Sequence, residues 1–289
     1  MNNFFETIYA QHSRFPIDFH TNYEKEGWDK VALQYKSWLN RNQLGTSSDK
    51  CIPKIIHQIW IGSRLPDKYK EWADTWQKYH PDYKYYLWTE KNIRFKSKCL
   101  ENAYANTPNV GAQSDIARYA ILQEQGGIYC DTDLECIRNI DALIENTSFM
   151  ACSLFSSSPH LGNGFIASVP SHHIINSIVE SIKAPIKTRD VLEIIDQIGP
   201  GLLTKKCLNA INQAEDSSIV LLPSNYCYCW PNYLRTDNDN PSKYLTSISF
   251  SIHYWEMSWT KSSYLIKAIG KIKNKVRKLG HLLLNWWSE

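Results

Sequence analysis

The sequence lacks three features that would place it in a membrane, on the secretory route or on a nucleic acid. No apolar run reaches the roughly 18 residues that a transmembrane helix needs. The first residues, MNNFFETIYAQHSRF, show no basic stretch followed by an apolar core, so they do not predict a signal peptide. Residues 1–260 carry 25 basic against 28 acidic side chains, a net charge of −3, which offers no basic surface to a nucleic acid.

Paired cysteines of the metal-binding or redox type are also missing. The eight cysteines are irregularly spaced and form no Cys-x-x-Cys pair. Cys227 and Cys229 are too isolated to predict a metal site. We therefore expect reduced, mostly buried thiols in a cytoplasmic protein. With 289 residues, 43% of them hydrophobic, the chain can fill the core of one large domain.

Positive charge is concentrated at the C-terminal end. Residues 261–289 contain seven Lys or Arg and one Glu, a net charge of +6. An apolar stripe with helical spacing runs through the same segment: Leu265, Ile269, Ile272, Val276, Leu279, Leu283 and Trp286. A basic amphipathic helix is typical of peripheral binding to an anionic membrane surface. Packing on the body of the protein, or pairing with a second copy as a coiled coil, remain alternatives.

The stretch Ser114–Asp133 predicts a helix, a tight stop, a short buried strand and then two carboxylates. The helix is indicated by apolar residues at helical spacing: Ile116, Tyr119, Ala120 and Leu122. Gly126 and Gly127 end it, because glycine adopts the left-handed conformation at little cost. Asp131 and Asp133 follow the strand, at the edge where α/β sheets bind ligands.

Two carboxylates at this spacing can hold a hard divalent cation that bridges the phosphates of a nucleotide diphosphate. An isolated Asp-x-Asp pair is more often a solvated turn. Here Asp115 and Arg118 lie three residues apart on one face of the preceding helix, just upstream of the pair. This arrangement favours a binding site over a solvated turn.

Alternation of strands and helices predicts an α/β fold with a Rossmann-like, mostly parallel sheet flanked by helices. Strands are predicted at 54–61, 83–88, 128–130, 149–155, 219–222 and 248–255, and helices at 28–40, 66–79, 109–125 and 173–183. His57 is interpreted as a hydrogen-bonded strand residue. His172 and His173 are adjacent near a predicted helix start and would face different ways, so no joint metal site is expected.

Three motifs occur in order between residues 52 and 260. SDIARYAILQEQGGIYCDTD, at 114–133, resembles the sugar-binding signature of glycosyltransferase family 32, which contains yeast initiating α-1,6-mannosyltransferases, α-1,4-galactosyltransferases and bacterial capsule enzymes. It is also similar to the core of the large clostridial glucosylating toxins. IPKIIHQIWIG, at 52–62, resembles the first strand of these enzymes, and HYWEMSW, at 253–259, their C-terminal His…Ser-Trp element.

The resemblance implies a GT-A type glycosyltransferase fold with added terminal helices. We divide the chain into an N-terminal helical extension (1–50), a GT-A catalytic domain (51–260) and the basic C-terminal helix (261–289). The helix at 28–40 is interpreted as a cap on the core, with acceptor or membrane contact as the alternative.

The resemblance also implies the metal ligands. Asp131 and Asp133, completed by His253, would hold Mn²⁺ or Mg²⁺, since neutral imidazole suits manganese. Glu256 and Ser258 remain alternative third ligands, because the C-terminal motif departs from the toxin pattern by one residue.

The same resemblance implies a donor site and a set of catalytic residues. Asp115 and Arg118 would bind sugar hydroxyls, and Trp60 would stack on the base unless it is a core residue. Asn163 would bind a sugar hydroxyl unless it lies in a turn. The assigned donor-binding residues are Trp60, Ile61, Ser114, Asp115, Arg118, Thr132, Asn163, Ser258 and Trp259. The residues assigned to catalysis are Asp115, Arg118, Asp131 and Asp133.

These expectations describe a metal-dependent, retaining glycosyltransferase that moves a hexose from a nucleotide-sugar to a lipid-linked saccharide acceptor. A UDP-sugar is favoured as donor, with a GDP-sugar as the alternative. We expect it on the inner face of the cell membrane, in bacterial surface polysaccharide synthesis. The alternatives are a toxin-like effector that glycosylates a protein, a nucleotide-sugar hydrolase, and a non-catalytic sugar-binding or membrane-associated protein.

Overall fold

The structure is a computed structural model that describes Phe4 and residues 21–44, 51–154, 159–213, 216–232 and 240–256. The predicted C-terminal helix at 261–289 lies outside these ranges, and so do Ser258 and Trp259. Within the described ranges, every helix is too short or too polar to cross a membrane.

Helices and strands alternate along most of the described chain. The helices are α1 (Asn22–Leu44), α2 (Asp67–Tyr79), α3 (Lys98–Ala105), α4 (Val110–Gln125), α5 (Asp141–Ile144), α6 (His173–Val179), α7 (Val191–Gln197), α8 (Pro200–Gln213) and α9 (Ser224–Cys227). The strands are β1 (Ile55–Ile59), β2 (Lys84–Trp88), β3 (Gly127–Cys130), β4 (Leu134–Cys136), β5 (Phe149–Ser153), β6 (Leu161–Ser168), β7 (Ile219–Leu222) and β8 (Ser251–His253).

Six strands form the central sheet, in the order β2-β1-β3-β6-β5-β7. The pairs β1–β2, β1–β3 and β5–β7 are parallel, whereas β6 runs antiparallel to both of its neighbours. Every residue of β3, β5, β6 and β7 is buried, as expected for strands covered by helices on both faces. The predicted α/β class with a mostly parallel sheet is confirmed.

The last strand differs from its prediction. The expected strand at 248–255 is reduced to the three residues of β8, which pair with β4 in a separate two-stranded sheet. The sequence analysis did not predict β4, because three residues are too few to show a strand pattern. Helix α6 ends at Val179, four residues before the predicted 183. Asn163 lies within β6, not in a turn before it.

The N-terminal helix α1 packs on the body of the protein. Its buried side chains Trp28, Val31, Tyr35 and Trp38 join the main hydrophobic core against α8 and β7. The hydroxyl groups of Tyr35 and Tyr226 lie 3.1 Å apart and share a buried hydrogen bond. This packing agrees with the interpretation of α1 as a cap on the core. The domain boundaries at 50 and 260 remain predictions.

The cysteines are free thiols. All eight lie within the described residues and none forms a disulfide, and only Cys51 and Cys99 are exposed. The expectation of mostly buried thiols is confirmed.

Candidate active site

The site lies at the carboxyl edge of the central sheet. The parallel strands β1 and β3 both end there, so Trp60 and Asp131 follow neighbouring strands. Because β6 is antiparallel, its first residues reach the same edge, and Phe165 pairs with Cys130. This topology brings Asn163 beside the Asp-x-Asp turn, as ligand sites of α/β sheets require.

Helix α4 is fixed at both ends, and it carries the first charged pair of the site. The side chain of Asn109 caps the helix by accepting a hydrogen bond of 3.0 Å from the amide of Ala112. Gly126 ends it with a φ of +62°, a conformation that favours glycine. Between these ends, Asp115 and Arg118 form an ion pair of 2.8 Å, with side chains 11% and 6% exposed.

Arg118 connects three elements of the fold. Its guanidinium group donates to the carbonyl oxygen of Asn163 in β6, and lies 3.3 Å from Oδ1 of Asp131 after β3. Nδ2 of Asn163 donates to Oδ1 of Asp115 at 2.9 Å, which closes the network. A buried charge is tolerated when it is paired and hydrogen-bonded in this way.

Tyr129 supports Asp131 from within β3. Its hydroxyl group donates to Oδ1 of Asp131 at 2.7 Å, and the Arg118 guanidinium lies 4.3 Å from the centre of its ring. Burial opposes the charge on Asp131, but Arg118 and His253 outweigh burial and hold the pKa of Asp131 well below its ordinary value. Asp131 is therefore a carboxylate at neutral pH.

Asp131, Asp133 and His253 form a cluster suited to a divalent cation. One ligand atom of each lies within 4.8 Å of the others. Pairing of β4 with β8 places Leu134 opposite His253, and so brings the imidazole to the turn. Nε2 of His253 lies 3.3 Å from Asp133 and 3.7 Å from Asp131.

The surroundings of the His253 ring indicate that these residues fit a metal ion. The ring is buried; its Nε2 faces the two carboxylates without a well-aligned hydrogen bond to either, and its Nδ1 has no hydrogen-bond partner among the described residues. Burial opposes a charge on His253, but Asp133 and Asp131 outweigh burial and raise the pKa of His253 to about 10. The two carboxylates thus favour a positive charge at this point, as a proton or as a cation. Two carboxylates and one imidazole suit Mn²⁺.

The segment after β8 holds Asp133. The backbone amides of Glu256 and Tyr254 donate to Oδ2 and to the carbonyl oxygen of Asp133, at 2.7 and 3.0 Å. Between them, Trp255 has a φ of +56°, which is rare for a bulky residue. Its ring lies edge-on to His253 at 4.1 Å, and its Nε1 donates to the carbonyl oxygen of Trp230. Strained residues of this kind cluster at functional sites.

A cleft of about 720 Å³ opens at this edge. The predicted site residues within the described ranges all line it: Trp60, Ile61, Ser114, Asp115, Arg118, Asp131, Thr132, Asp133, Asn163 and His253. Of the alternative third ligands, Glu256 also lines the cleft. The roles assigned to these residues remain predictions, and Ser258 and Trp259 lie outside the described residues.

Trp60 lies on the wall of the cleft, partly exposed. Its Nε1 donates to the hydroxyl group of Ser63 at 3.1 Å, and its ring packs at a tilt on Tyr69, with centroids 4.7 Å apart. It is therefore not a fully buried core residue, which was the alternative interpretation.

The sequence analysis missed several residues of the cleft. Tyr129 was read only as a buried strand residue, and nothing in the sequence shows that its hydroxyl group reaches Asp131. Helix α7 was not predicted, although its apolar residues are spaced three and four apart and gave a usable signal. The missed lining residues include Tyr129, Val110, Val191, Ile194, Ile195 and Trp255.

His57, outside the cluster, has hydrogen-bond partners at both ring nitrogens. Nε2 of His57 pairs with the carbonyl oxygen of Gly126 at 3.0 Å, and Nε1 of Trp88 donates to Nδ1 of His57 at 3.1 Å. This satisfies His57 within its strand, as predicted.

His172, His173 and Asp216 also place ligand atoms within 4.8 Å of one another. His172 precedes helix α6 in a non-helical conformation, so the argument that both rings sit on one helix was wrong. Nδ1 of His172 accepts the amide of Ile174 at 3.2 Å and so caps the helix. Nε2 of His172 lies 3.2 Å from the hydroxyl group of Ser148, so both ring nitrogens have protein partners, and we interpret the group as a helix cap.

Residues 66–150, which include the Asp-x-Asp turn, match a protein family described as glycosyltransferase sugar-binding region containing DXD motif. This part of the chain is similar to DXD sugar-binding regions of glycosyltransferases. The region contains α2 to α4, the turn after β3, and the side chains of Asp115, Arg118, Asp131 and Asp133. The resemblance found in the sequence is therefore confirmed.

Similar proteins match over more residues than the sugar-binding region alone. Inositol phosphoceramide mannosyltransferase 3 of Schizosaccharomyces pombe is 28% identical over 145 residues, which cover 49% of this chain and 40% of that protein. An uncharacterised glycosyltransferase of Acanthamoeba polyphaga mimivirus is 28% identical over 225 residues, which cover 75% of this chain and 87% of that protein. The chain spans half or less of the length of the yeast relatives.

A solved structure with a similar course is the catalytic domain of alpha-toxin from Clostridium novyi. It is 11% identical in sequence and has a TM-score of 0.48, covering 85% of this chain and 90% of that chain.

Proposed function

We propose that this protein is a glycosyltransferase that moves a hexose from a nucleotide-sugar to a saccharide acceptor, using a divalent cation held by Asp131, Asp133 and His253. One observation carries the proposal. The buried network of Asp115, Arg118 and Asn163 shares Asp131 with the cation cluster, so a sugar pocket and a diphosphate site adjoin.

The cation cluster supports a role at the diphosphate. When bound there, Mn²⁺ or Mg²⁺ neutralises the charge that develops on the departing phosphate. The protein contributes a rigid set of ligands, because Tyr129 and Arg118 fix Asp131 while the amides of residues 254 and 256 fix Asp133. Ligands held in this way need little rearrangement when charge develops.

The network around α4 supports a role at the donor sugar. Burial raises the pKa of Asp115 to about 7, although Arg118 and Asn163 favour its charged form. Beside its contact with Asn163, the Asp115 carboxyl group lines the cleft and can accept a hydrogen bond from a sugar hydroxyl. Arg118 holds the carboxyl groups of Asp115 and Asp131 in fixed positions.

Trp60, on the wall of the cleft, supports the binding of a nucleotide base. An aromatic face binds a base by stacking, worth roughly 1–3 kcal/mol. The toxin-like context of Trp60 favours UDP, whereas the names of the yeast relatives favour a mannosyl donor, so GDP-mannose belongs in any test. Retention of configuration is proposed from the resemblance alone.

Exposed apolar side chains in and beside the cleft support an acceptor that has an apolar part. Val110 lines the cleft and is 39% exposed, and Leu192 adjoins the lining residue Val191 and is 71% exposed. Ile195, on the same helix as Leu192, also lines the cleft. We propose a saccharide linked to a lipid as acceptor, in agreement with the ceramide named in the yeast relatives. Bacterial surface polysaccharide synthesis at the cytoplasmic membrane falls within this class.

A donor-cleavage screen tests the proposal. The purified full chain is incubated with Mn²⁺ and each common UDP- and GDP-sugar, and free nucleotide is measured. We expect release from one donor, and a loss of roughly 100-fold or more in Asp131→Ala, as for removal of one stabilising group in other active sites. Glu71→Gln, an exposed acid on α2, is the matched control and should behave like the wild type.

The outcomes separate the alternatives. Release that does not increase with any saccharide or lipid-linked acceptor would favour a nucleotide-sugar hydrolase, and transfer to a protein would favour a toxin-like effector. Metal-dependent binding of UDP or GDP without release from any donor, even with acceptors present, would favour a non-catalytic sugar-binding protein. If the protein shows no binding of UDP or GDP and no release from any donor, the proposal is overturned.

A further inference from the structure

Gln58 is a polar residue of β1 that the assigned site does not use. Its side chain is fully buried, and it stands between His57 and Ile59 along the strand. A buried amide without partners is destabilising by roughly 1–3 kcal/mol in proteins, so its contacts need an explanation. Both ends of this amide are engaged, and one of them reaches the cation cluster.

The contacts of Gln58 form a chain that runs from an edge strand to the Asp-x-Asp turn. The hydroxyl group of Tyr85 in β2 donates to Oε1 of Gln58 at 2.7 Å. Nε2 of Gln58 donates to the carbonyl oxygen of Asp131 at 3.1 Å. The carbonyl oxygen of Asp131 can only accept, so it fixes which end of the amide presents nitrogen, and the Tyr85 hydroxyl group then donates to the oxygen at the other end.

The backbone of Asp131 is therefore held from both neighbouring strands. The side chain of Gln58 in β1 donates to the carbonyl oxygen of Asp131. The backbone amide of Asp131 donates to the carbonyl oxygen of Gly164 in β6 at 2.8 Å. Gly164 also leaves room for the carboxyl group, because a Cβ atom there would lie 2.6 Å from Oδ2 of Asp131. The turn that presents the carboxylate has little freedom to move.

We propose that Gln58 is a positioning residue for the cation site, and that Tyr85 is its outer support. The inference rests on the cation site of the proposed function and adds residues outside it. Groups that orient metal ligands typically change metal affinity 10- to 100-fold when they are removed. Gln58 does so through the backbone of the ligand, whereas Tyr129 and Arg118 act on its carboxyl group.

A purely structural Gln58 predicts a different result. If the amide only satisfies the core, its loss lowers the stability of the fold and leaves the affinity for a cation unchanged. Thr107 provides a matched comparison, because it is buried, donates to the carbonyl oxygen of Ala103 and accepts the amide of Ile186 at 2.9 Å. It does not line the cleft.

The test measures Mn²⁺ binding to the full chain by titration calorimetry, without donor or acceptor. The variants are Gln58→Leu, Tyr85→Phe and Thr107→Val, each at a temperature where circular dichroism shows it folded. We expect Mn²⁺ affinity to fall roughly 10- to 100-fold in Gln58→Leu and less in Tyr85→Phe. Thr107→Val should bind Mn²⁺ like the wild type while melting at a lower temperature.

Each outcome decides the inference. Wild-type affinity in folded Gln58→Leu would overturn it while leaving the proposed function intact. If Gln58→Leu does not fold, the decision passes to Tyr85→Phe, where unchanged affinity overturns the inference and reduced affinity supports it. If the wild type binds no Mn²⁺ at all, the proposed cation site and this inference fail together.

Discussion

Arg118 is the residue on which the charged groups of the site depend. It contacts Asp115, Asp131 and the backbone of Asn163, which come from a helix, a turn and a strand. Without its charge, the buried carboxyl group of Asp115 and the partly buried one of Asp131 would lose the cation that they share, and breaking a buried ion pair destabilises a fold. The sequence placed Asp115 and Arg118 on one helix face, but it did not show that Arg118 also reaches Asp131.

His57 gives a prediction about acid stability. Burial lowers the pKa of His57 to about 4, against 6.5 in an unfolded chain. Between these two values the unfolded chain binds a proton and the folded chain does not, so stability falls as the pH falls. We expect this residue to lower the free energy of unfolding by roughly 3 kcal/mol at pH 4 relative to pH 7.

The measurement is urea unfolding of the wild type and His57→Gln from pH 7 to pH 4. Burial also lowers the pKa of His80, which adds to the acid sensitivity of both proteins, so the difference between their slopes isolates His57. Equal slopes in the two proteins would show that His57 is charged in the folded state, or that it is not buried.

At the scale of elements, α1 offers a matched pair of substitutions. Trp28 is 1% exposed in the core, whereas Leu33 on the same helix is 65% exposed. Trp28→Ala should lower the free energy of unfolding by about 3–5 kcal/mol, the usual cost of emptying a buried aromatic site. Leu33→Ala should change it by less than about 0.5 kcal/mol.

Chemical denaturation monitored by circular dichroism checks this pair. A small effect of Trp28→Ala would mean that α1 is detached from the body, which would favour its alternative role in acceptor or membrane contact.

The strand β8 shows why elements at long sequence separation escape prediction. It is three residues long and pairs with β4, more than a hundred residues earlier. This pairing delivers His253 to the Asp-x-Asp turn. A pattern in either segment alone is too short to reveal it, because strand periodicity needs at least four residues.

For the whole molecule, ligand binding should appear as added stability. A ligand present at about 100 times its dissociation constant stabilises the folded state by roughly 2.7 kcal/mol. We expect Mn²⁺ together with UDP or GDP to raise the melting temperature by several degrees, and EDTA to reverse the rise. The double variant Asp131→Asn/Asp133→Asn should show no metal-dependent rise.

Scanning calorimetry of the full chain makes this measurement independent of catalysis. An equal metal-dependent rise in the double variant would place the cation elsewhere in the molecule. A rise with nucleotide but without metal would indicate a base site that acts separately from Asp131 and Asp133.

The α/β class, the course of α4 into β3, and the two carboxylates at a ligand-binding edge could all be predicted from the chain alone. Those features depend on local patterns: apolar spacing, the glycine stop and the position of Asp131 and Asp133 after a buried strand. Resemblance to a known family added His253 as an expected ligand. Local physical chemistry acts over a few residues, so these features were readable from the chain.

The contacts that hold the site together depend on the tertiary structure and could not be predicted from the sequence. It made β6 antiparallel, which brings Asn163 to Arg118, and it placed Gln58 under the Asp131 carbonyl group. It also enclosed the cleft with α7 and with Trp255. The hydrogen bonds of the site join residues that lie from about 45 to more than 120 positions from each other in the sequence. Helix α7 is the exception, because it is a local element. Their geometry follows from the packing of the whole sheet and its helices, and no local pattern specifies it.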